Sequence, residues 1–373
     1  MNPASTKAGA VSARAQCAVH LEGENALFAV SAPKLSERQA AKLALEAFGI
    51  GGTASLLTSE RDQNFRLLAD NGNAYVLKVT HPSEDPLVTD FQTQAQIRLS
   101  SSGSAQPVPR LIGTLEGQPI HWAPVGENGA KQAVRLMTFL PGVPLYKCRA
   151  GKEQRRALGK ALARFDAALA GFSHPGSEQK LLWDIQHLSD LRSLLPEIDD
   201  HGKRVLAERY LDLHEKPTVG RAAGLRRQVI HNDLNAYNVL VDHGKPDIVT
   251  AILDFGDMVA APLINDLAVA CAYQLSSTGN PLDSANDCIV AYHAECPLTE
   301  AELALLPGLI IARLLVTVLI TEWRAKQHPE NRAYILRNNP LSWEGLRRFD
   351  TLAAGQAEDS ILEAIRIKED EGK

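Results

Sequence analysis

Three oxygen-bearing side chains stand close together in the C-terminal half: Asp233 and Asn238 in "VIHNDLNAYNVLV", and Asp254 in "AILDFGDM". His231, Asp233 and Asn238 make an H-x-D-x-x-x-x-N spacing, and Asp254 opens a D-F-G sixteen residues after Asn238. Phosphoryl transfer asks for such a set. One carboxylate accepts the proton of an attacking hydroxyl, and two oxygens hold magnesium beside a nucleotide's phosphates. Asp233 fits the first role, Asn238 and Asp254 the second. Asp and Asn are also ordinary turn formers, but two such segments, each flanked by β-branched runs, favour a site. His231 reads as a hydrogen-bonder that braces the loop. Asp266, in "INDLAVA", reads as a helix cap supporting the loop from behind. Asp257 is either a substrate contact or a turn acid.

A lysine at the end of the strand "YVLK", Lys78, could reach nucleotide phosphates from inside a cleft. The loop before that strand, "SERDQNF", lacks the glycines of a G-x-G-x-x-G loop. Its backbone amides could still cover phosphates, with Ser59 or Asn64 donating.

These residues need elements to position them. "KLSERQAAKLALEAFGI" carries a capping pattern at Ser36 and Gln39 followed by helical apolar spacing, stopped by Gly51 and Gly52. "ASLLT", "NFRLLA" and "AYVLKVT" predict antiparallel strands, with "NG" as a tight hairpin turn. A helix over 87–101 places Val88, Phe91, Ala95 and Leu99 on one face. "PVPRLIGTLEGQPIHWA" and "KQAVRLMTFL" add strand. The prolines and glycine of "LPGVPL" mark a boundary, and the remainder is mainly helical. In "ALGKALARFDAALAGF" a single stripe of Leu158, Leu162, Phe165, Leu169 and Phe172 predicts core packing. The fold class is therefore α+β. Residues 1–24 form a disordered lead-in, 25–140 a nucleotide-binding lobe with an antiparallel sheet and one helix, and 141–373 a catalytic, substrate-binding lobe. The closing "IRIKEDEGK" reads as a solvated charged tail.

Composition narrows the class. At 373 residues, 45% hydrophobic and 22% charged, the chain suits two globular lobes, and a net charge of −5 gives no basic footprint for nucleic acid. The five cysteines are scattered without C-x-x-C spacing, against a zinc site or disulfide framework and in favour of reduced thiols in a cytoplasm. No export signal is visible. "LALLPGLIIARLLVTVLIT" is interrupted by Pro307 and Arg313, and a mid-span charge is costly in lipid, so it reads as a buried helix rather than a membrane span.

The motifs "SERDQNF", "YVLK", "FLPG", "HNDLNAYNVLV" and "ILDFGDM" resemble those of the aminoglycoside phosphotransferase and choline kinase superfamily. The likeness covers roughly residues 25–355. Within it, "ILDFGDM", "HPENRAYIL" and "WDIQHLSDLR" resemble the hydroxylysine kinase branch. The resemblance implies a bilobal protein-kinase-like fold, magnesium, and transfer from GTP or ATP to the hydroxyl of a small molecule, 5-hydroxy-L-lysine in that branch. It implies Asp233 as base, Asn238 and Asp254 as magnesium ligands, and Lys78 on the phosphates. The backbone of "MTFL", with Met137 and Phe139, would be the hinge that meets the nucleotide base. One departure stands out. Kinases pair the strand lysine with a helix glutamate, whereas the helix after Lys78 offers Asp90, Gln92 and Gln94. One of these takes the role, or Lys78 is held differently.

An acceptor with two ammonium groups and a carboxylate calls for acids, an aromatic wall and a guanidinium. Trp183, Asp184, Asp257 and Arg313 could supply them. Arg313 could equally be a structural arginine paired with Asp184 or Asp266, and Trp183 a core residue. Other acceptors fit the same pattern, namely homoserine, choline, methylthioribose or an aminoglycoside, as does a nucleotide-binding pseudokinase. The sequence leaves oligomeric state open.

Overall fold

The computed structural model describes residues 35–59, 62–101, 106–125, 131–215 and 224–371. The disordered lead-in expected over 1–24 lies outside the described residues. The chain opens with helix α1 (Glu37–Phe48), whose capping box joins Ser36 to Gln39 as expected. It ends two residues sooner than the glycine pair suggested, at Gly49, where φ of 68° permits the left-handed cap.

Strands β1 (Gly52–Leu57), β2 (Gln63–Ala69) and β3 (Ala74–Val79) follow, then helix α2 (Pro86–Ser101). Next come β4 (Leu111–Ile112), β5 (His121–Pro124) and β6 (Lys131–Thr138). These strands form one antiparallel sheet in which β6 pairs with β3 on one side and with β4 and β5 on the other. The β2–β3 hairpin turns at Asn71-Gly72, and Gly72 takes φ of 85°. Its register sets Asn64 opposite Lys78, and β6 sets Arg135 opposite Lys78 from the other side. Side chains alternate across a strand, so this row shares one face. The other face carries Phe65, Leu67, Leu77, Val79, Val134 and Leu136, packed under Ala40, Ala44 and Phe48 of α1.

Helix α2 behaves differently from α1. Its apolar residues Phe91, Ala95 and Leu99 join the larger core that continues through the C-terminal helices. Its polar edge meets the sheet, where Gln96 Nε2 donates to the Pro109 carbonyl at 2.7 Å. The helix therefore bridges the two cores.

After β7 (Val143–Pro144) come α3 (Lys152–Leu169), α4 (His201–Glu215) and strands β8 (Arg227–Ile230), β9 (Val239–Val241), β10 (Val249–Ile252) and β11 (Val259–Pro262). Helices α5 (Ile264–Ala272), α6 (Ala285–Glu295), α7 (Glu300–Gln327), α8 (Arg332–Ile335), α9 (Asn339–Phe349) and α10 (Gln356–Glu371) complete the chain. β9 pairs antiparallel with β10, and β8 with β11. Gly159 of α3 lies against α6 so closely that a Cβ there would sit 2.2 Å from the Cys288 carbonyl oxygen. α7 is long and apolar enough to cross a membrane, yet it is mostly buried, which makes it a core helix. The charged tail is solvent-exposed from Arg366 to Lys368, as expected, but helical as the end of α10. Ile361 and Ile365 are buried there, because a helical period puts them on one face of an otherwise charged segment.

Candidate active site

Two short strand pairs deliver the H-x-D-x-x-x-x-N loop and the D-F-G segment to the same place. β8 ends at Ile230 and β9 begins at Val239, so residues 231–238 form the loop between them. Val239 is paired with Ile252, and the Leu253 amide donates to the Asn238 carbonyl at 2.8 Å. Asn238 and Asp254 thus lie at adjoining ends of paired strands. Asp254 holds φ at 64° and Asn232 at 65°, a left-handed backbone uncommon outside glycine. Such conformations persist only where the surroundings over-determine them.

The surroundings do so here. Buried Asp266 accepts the amides of His231 and Asn232 at 2.8 and 2.9 Å, bracing the loop from behind as expected, though from inside the first turn of α5 rather than as its cap. His231 Nδ1 accepts the Asp233 amide at 3.2 Å, which assigns the proton to Nε2, 3.0 Å from the Leu253 carbonyl it donates to. The imidazole packs edge-on to Phe165 and beside Phe255. It is a brace between the two segments, not a reacting group.

Asp233 is the focus of the loop. Its Oδ2 accepts Asn235 Nδ2 at 2.8 Å and Asn238 Nδ2 at 2.9 Å, and its Oδ1 accepts Arg313 Nη2 at 2.7 Å. Burial raises its pKa to about 6; Arg313 opposes that rise and Asp257 adds to it. A carboxylate so placed is ionised near neutral pH yet basic enough to take a hydroxyl proton. Asn238 also donates to the Asp233 carbonyl, so its amide nitrogen is engaged and Oδ1 remains as a ligand oxygen. The Asp254 carboxylate is exposed, with Oδ1 accepting the Gly256 amide at 3.1 Å. Among the described residues no cluster of three or more His, Cys, Asp or Glu could cage a metal alone. An amide oxygen and one carboxylate are the donor set for magnesium that completes its octahedron from phosphates and water.

Lys78 is held differently from the helix pairing a kinase pattern suggests. Its Nζ lies 2.7 Å from Oδ2 of Asp62, just before β2, and Asp62 also accepts the His81 amide at 2.8 Å. Burial works against the Asp62 charge, but Lys78, that amide and Arg135 together hold its pKa below the ordinary carboxylate value. The helix candidates are committed elsewhere: Asp90 to His174 at 3.1 Å, Gln94 to Asp90, and Gln92 to Arg135. Arg135 is buried beside Lys78 and also donates to Thr93, tying α2 to the sheet. Sequence reasoning missed both Asp62 and Arg135. The hairpin turn fixes the β2–β3 register, and counting back from it places Asp62 near Lys78.

The remaining expected contacts divide. Asn64 Oδ1 is buried without a partner opposite Lys78, whereas Ser59 is exposed after β1. Met137 lies within the β6 ladder with Gln96 against its sulfur. The Phe139 amide donates to Ala74 and the Thr138 amide to Arg110, so those hinge amides are taken up by the sheet; the Phe139 ring lies under Arg66. The next amide is that of Leu140. Arg313 pairs with neither Asp184 nor Asp266 but with Asp233, and its other amino group donates to the Trp183 carbonyl at 2.9 Å. The Trp183 and Tyr273 rings lie within 5.6 and 5.8 Å of its guanidinium. Asp184 does not reach the cleft as a substrate acid. It is fully buried and caps the 3-10 segment Ile185–Glu197 through Gln186.

Residues 53–288, more than half the chain, match the model of the phosphotransferase enzyme family. The chain belongs to this family. The phosphotransferase acts on a hydroxyl group with a nucleotide as phosphoryl donor. It is 24% identical to hydroxylysine kinase of Mus musculus over 91% of this chain and 96% of that protein. It is 29% identical to hydroxylysine kinase of Xenopus laevis over 84% and 90%. With homoserine kinase of Methylobacillus glycogenes it shares 30% identity over 57% of this chain and 68% of that protein. Among solved structures, an amicoumacin kinase bound to AMP-PNP and Ca2+ superposes with a TM-score of 0.62 at 15% identity, covering 83% of this chain and 93% of that one. A microcompartment-associated aminopropanol kinase superposes at 0.60 with 19% identity, covering 87% and 93%. These likenesses establish the protein-kinase-like fold of the phosphotransferase.

Proposed function

We propose that this phosphotransferase moves the γ-phosphate of GTP or ATP onto the hydroxyl of a small amino acid, 5-hydroxy-L-lysine. The observation that carries the catalytic reading is the pair of hydrogen bonds from Asn238 Nδ2 to Asp233, which aims one residue at the alcohol and leaves the other's oxygen for a metal. Asp233 orients the hydroxyl and accepts its proton. Asn238 and Asp254 hold magnesium, whose charge, when bound, offsets that on the transferring phosphates. Lys78, fixed by Asp62, meets the phosphates, with Asn64 alongside. The hinge at 137–140 meets the base, through the backbone of Leu140. This division of labour goes with a nucleotide lobe over 25–140 and a catalytic lobe over 141–373. Free thiols at Cys148, Cys271, Cys288 and Cys296 support a cytoplasmic setting.

The acceptor is supported by the coverage and identity of the hydroxylysine kinase relatives. Homoserine is the second reading, favoured by the shorter match to a homoserine kinase. A coupled nucleoside-diphosphate assay with ATP and GTP against 5-hydroxylysine, homoserine, choline and kanamycin tests both. The highest kcat/KM is expected with 5-hydroxylysine. Turnover of another acceptor with none on 5-hydroxylysine would overturn the assignment.

A further inference from the structure

Beside the catalytic loop, a column of rings and cations joins three segments distant in sequence. The Tyr237 ring, adjacent to Asn238, stacks on Tyr146 with centroids 4.4 Å apart. On Tyr237 rests the guanidinium of Arg337, 5.0 Å from the ring centroid, and that same guanidinium lies 3.8 Å from the Tyr334 centroid. The Tyr146 amide donates to the Ala236 carbonyl at 3.1 Å, which locks the column to the loop that carries Asp233. Tyr146 and Tyr334 are 49% and 40% exposed, so the column opens to solvent.

Arg337 lacks the acid that several other arginines of the C-terminal half hold. Arg313 has Asp233, Arg155 has Asp287 and Arg226 has Glu302. Among the described residues no carboxylate pairs with Arg337. Its Nη1 donates to the Tyr334 carbonyl at 3.0 Å, and its Nε is buried with no hydrogen-bond partner. Arg337 is half-buried, and holding a guanidinium partly out of water without a counter-charge is costly. Two aromatic faces offset part of that cost and fix the plane of the fork. A planar, oriented cation with unused donors is complementary to a carboxylate, which it can grip through two parallel hydrogen bonds.

We propose that Arg337, clamped between Tyr237 and Tyr334, receives the α-carboxylate of an amino-acid acceptor whose side-chain hydroxyl lies at Asp233. This rests on the amino-acid kinase reading above and adds the group that tells an amino acid from an amino alcohol. The column holds the carboxylate end of the acceptor while the loop it is stacked on presents the base to the other end. Arg337 is then the residue through which the enzyme prefers acceptors that retain a carboxylate.

The test is steady-state kinetics on 5-hydroxylysine and on its decarboxylated analogue, for wild type, Arg337→Met and Arg337→Lys. Loss of a charge-assisted hydrogen-bonded pair predicts a rise in KM for 5-hydroxylysine of about 10- to 100-fold in the Met variant, with kcat little changed. The ratio of kcat/KM between the two acceptors should collapse toward one. Arg337→Lys, which keeps the charge without the fork, should retain an intermediate ratio and serves if the Met variant does not fold. Equal losses on both acceptors would make Arg337 merely structural and overturn the inference. Wild-type enzyme that uses both acceptors equally well would also overturn it, leaving the kinase reading intact. Wild-type enzyme that turns over neither would remove the amino-acid reading and this inference together.

Discussion

Arg313 Nη2 lies 2.7 Å from Asp233 Oδ1, joining the middle of the core helix α7 to the catalytic loop across 80 residues of sequence. Arg313 is 2% exposed, and Asp233 and Tyr273 hold its pKa above the usual guanidinium value despite burial. A charge at the centre of an apolar helix is therefore explained by what it steadies. It keeps a half-buried carboxylate ionised and pins one oxygen, leaving the residue to act in a single orientation.

Removing that cation should change the pH dependence in a definite direction. Arg313 lowers the Asp233 pKa, so Arg313→Met should raise it and move the acidic limb of the kcat profile to higher pH. Asp257 raises it, so Asp257→Asn should move the limb to lower pH. A base works only when deprotonated; below the limb, each unit of upward shift costs about tenfold in rate. Profiles of both variants that coincide with wild type would contradict the electrostatic role of each group.

Lys78 should depend on Asp62 rather than on the α2 acid. Asp62→Asn is expected to raise the nucleotide KM by roughly tenfold, from loss of a partly buried ion pair and its orientation of the lysine. Asp90→Asn, which touches His174 instead, should leave nucleotide KM within about twofold. Nucleotide titrations on both variants decide it, and the reverse order of effects would restore the helix pairing.

Gly159 separates packing from propensity. Alanine at an exposed helix position gains roughly 1 kcal/mol over glycine. Here its Cβ would sit 2.2 Å from the Cys288 carbonyl oxygen, backbone that cannot rotate away. Overpacking of this kind typically costs about 1–3 kcal/mol. Gly159→Ala should therefore lower the thermal midpoint. A raised midpoint would mean that α3 and α6 are not so close.

What the sequence made legible follows from how local the signal was. The loop and D-F-G spacings are short-range, and the strands around them are short and rich in β-branched residues, so the meeting of the segments that carry Asp233, Asn238 and Asp254 was legible from residue types alone. Asp62 was within reach through the hairpin register, but the kinase pattern directed attention to α2, where Gln92 serves Arg135 instead. Arg313 stands out in the sequence as a charge inside an apolar helix, but only tertiary packing selects Asp233 as its partner. Asp184 looked like a cleft acid because polarity does not distinguish a buried helix cap from a substrate contact. The charged C-terminus is exposed as its composition suggests, but Ile361 and Ile365 at helical spacing anchor it as the end of α10.

The central claim is that Asp233 performs the proton chemistry while Asn238, Asp254 and Lys78 hold the nucleotide. It is tested most directly by measuring turnover and nucleotide affinity together in Asp233→Asn. Turnover should fall by about 10²–10⁴-fold, with the nucleotide Kd within threefold of wild type and the fold intact. Near-wild-type turnover, or loss of nucleotide binding in a folded protein, would contradict the assignment.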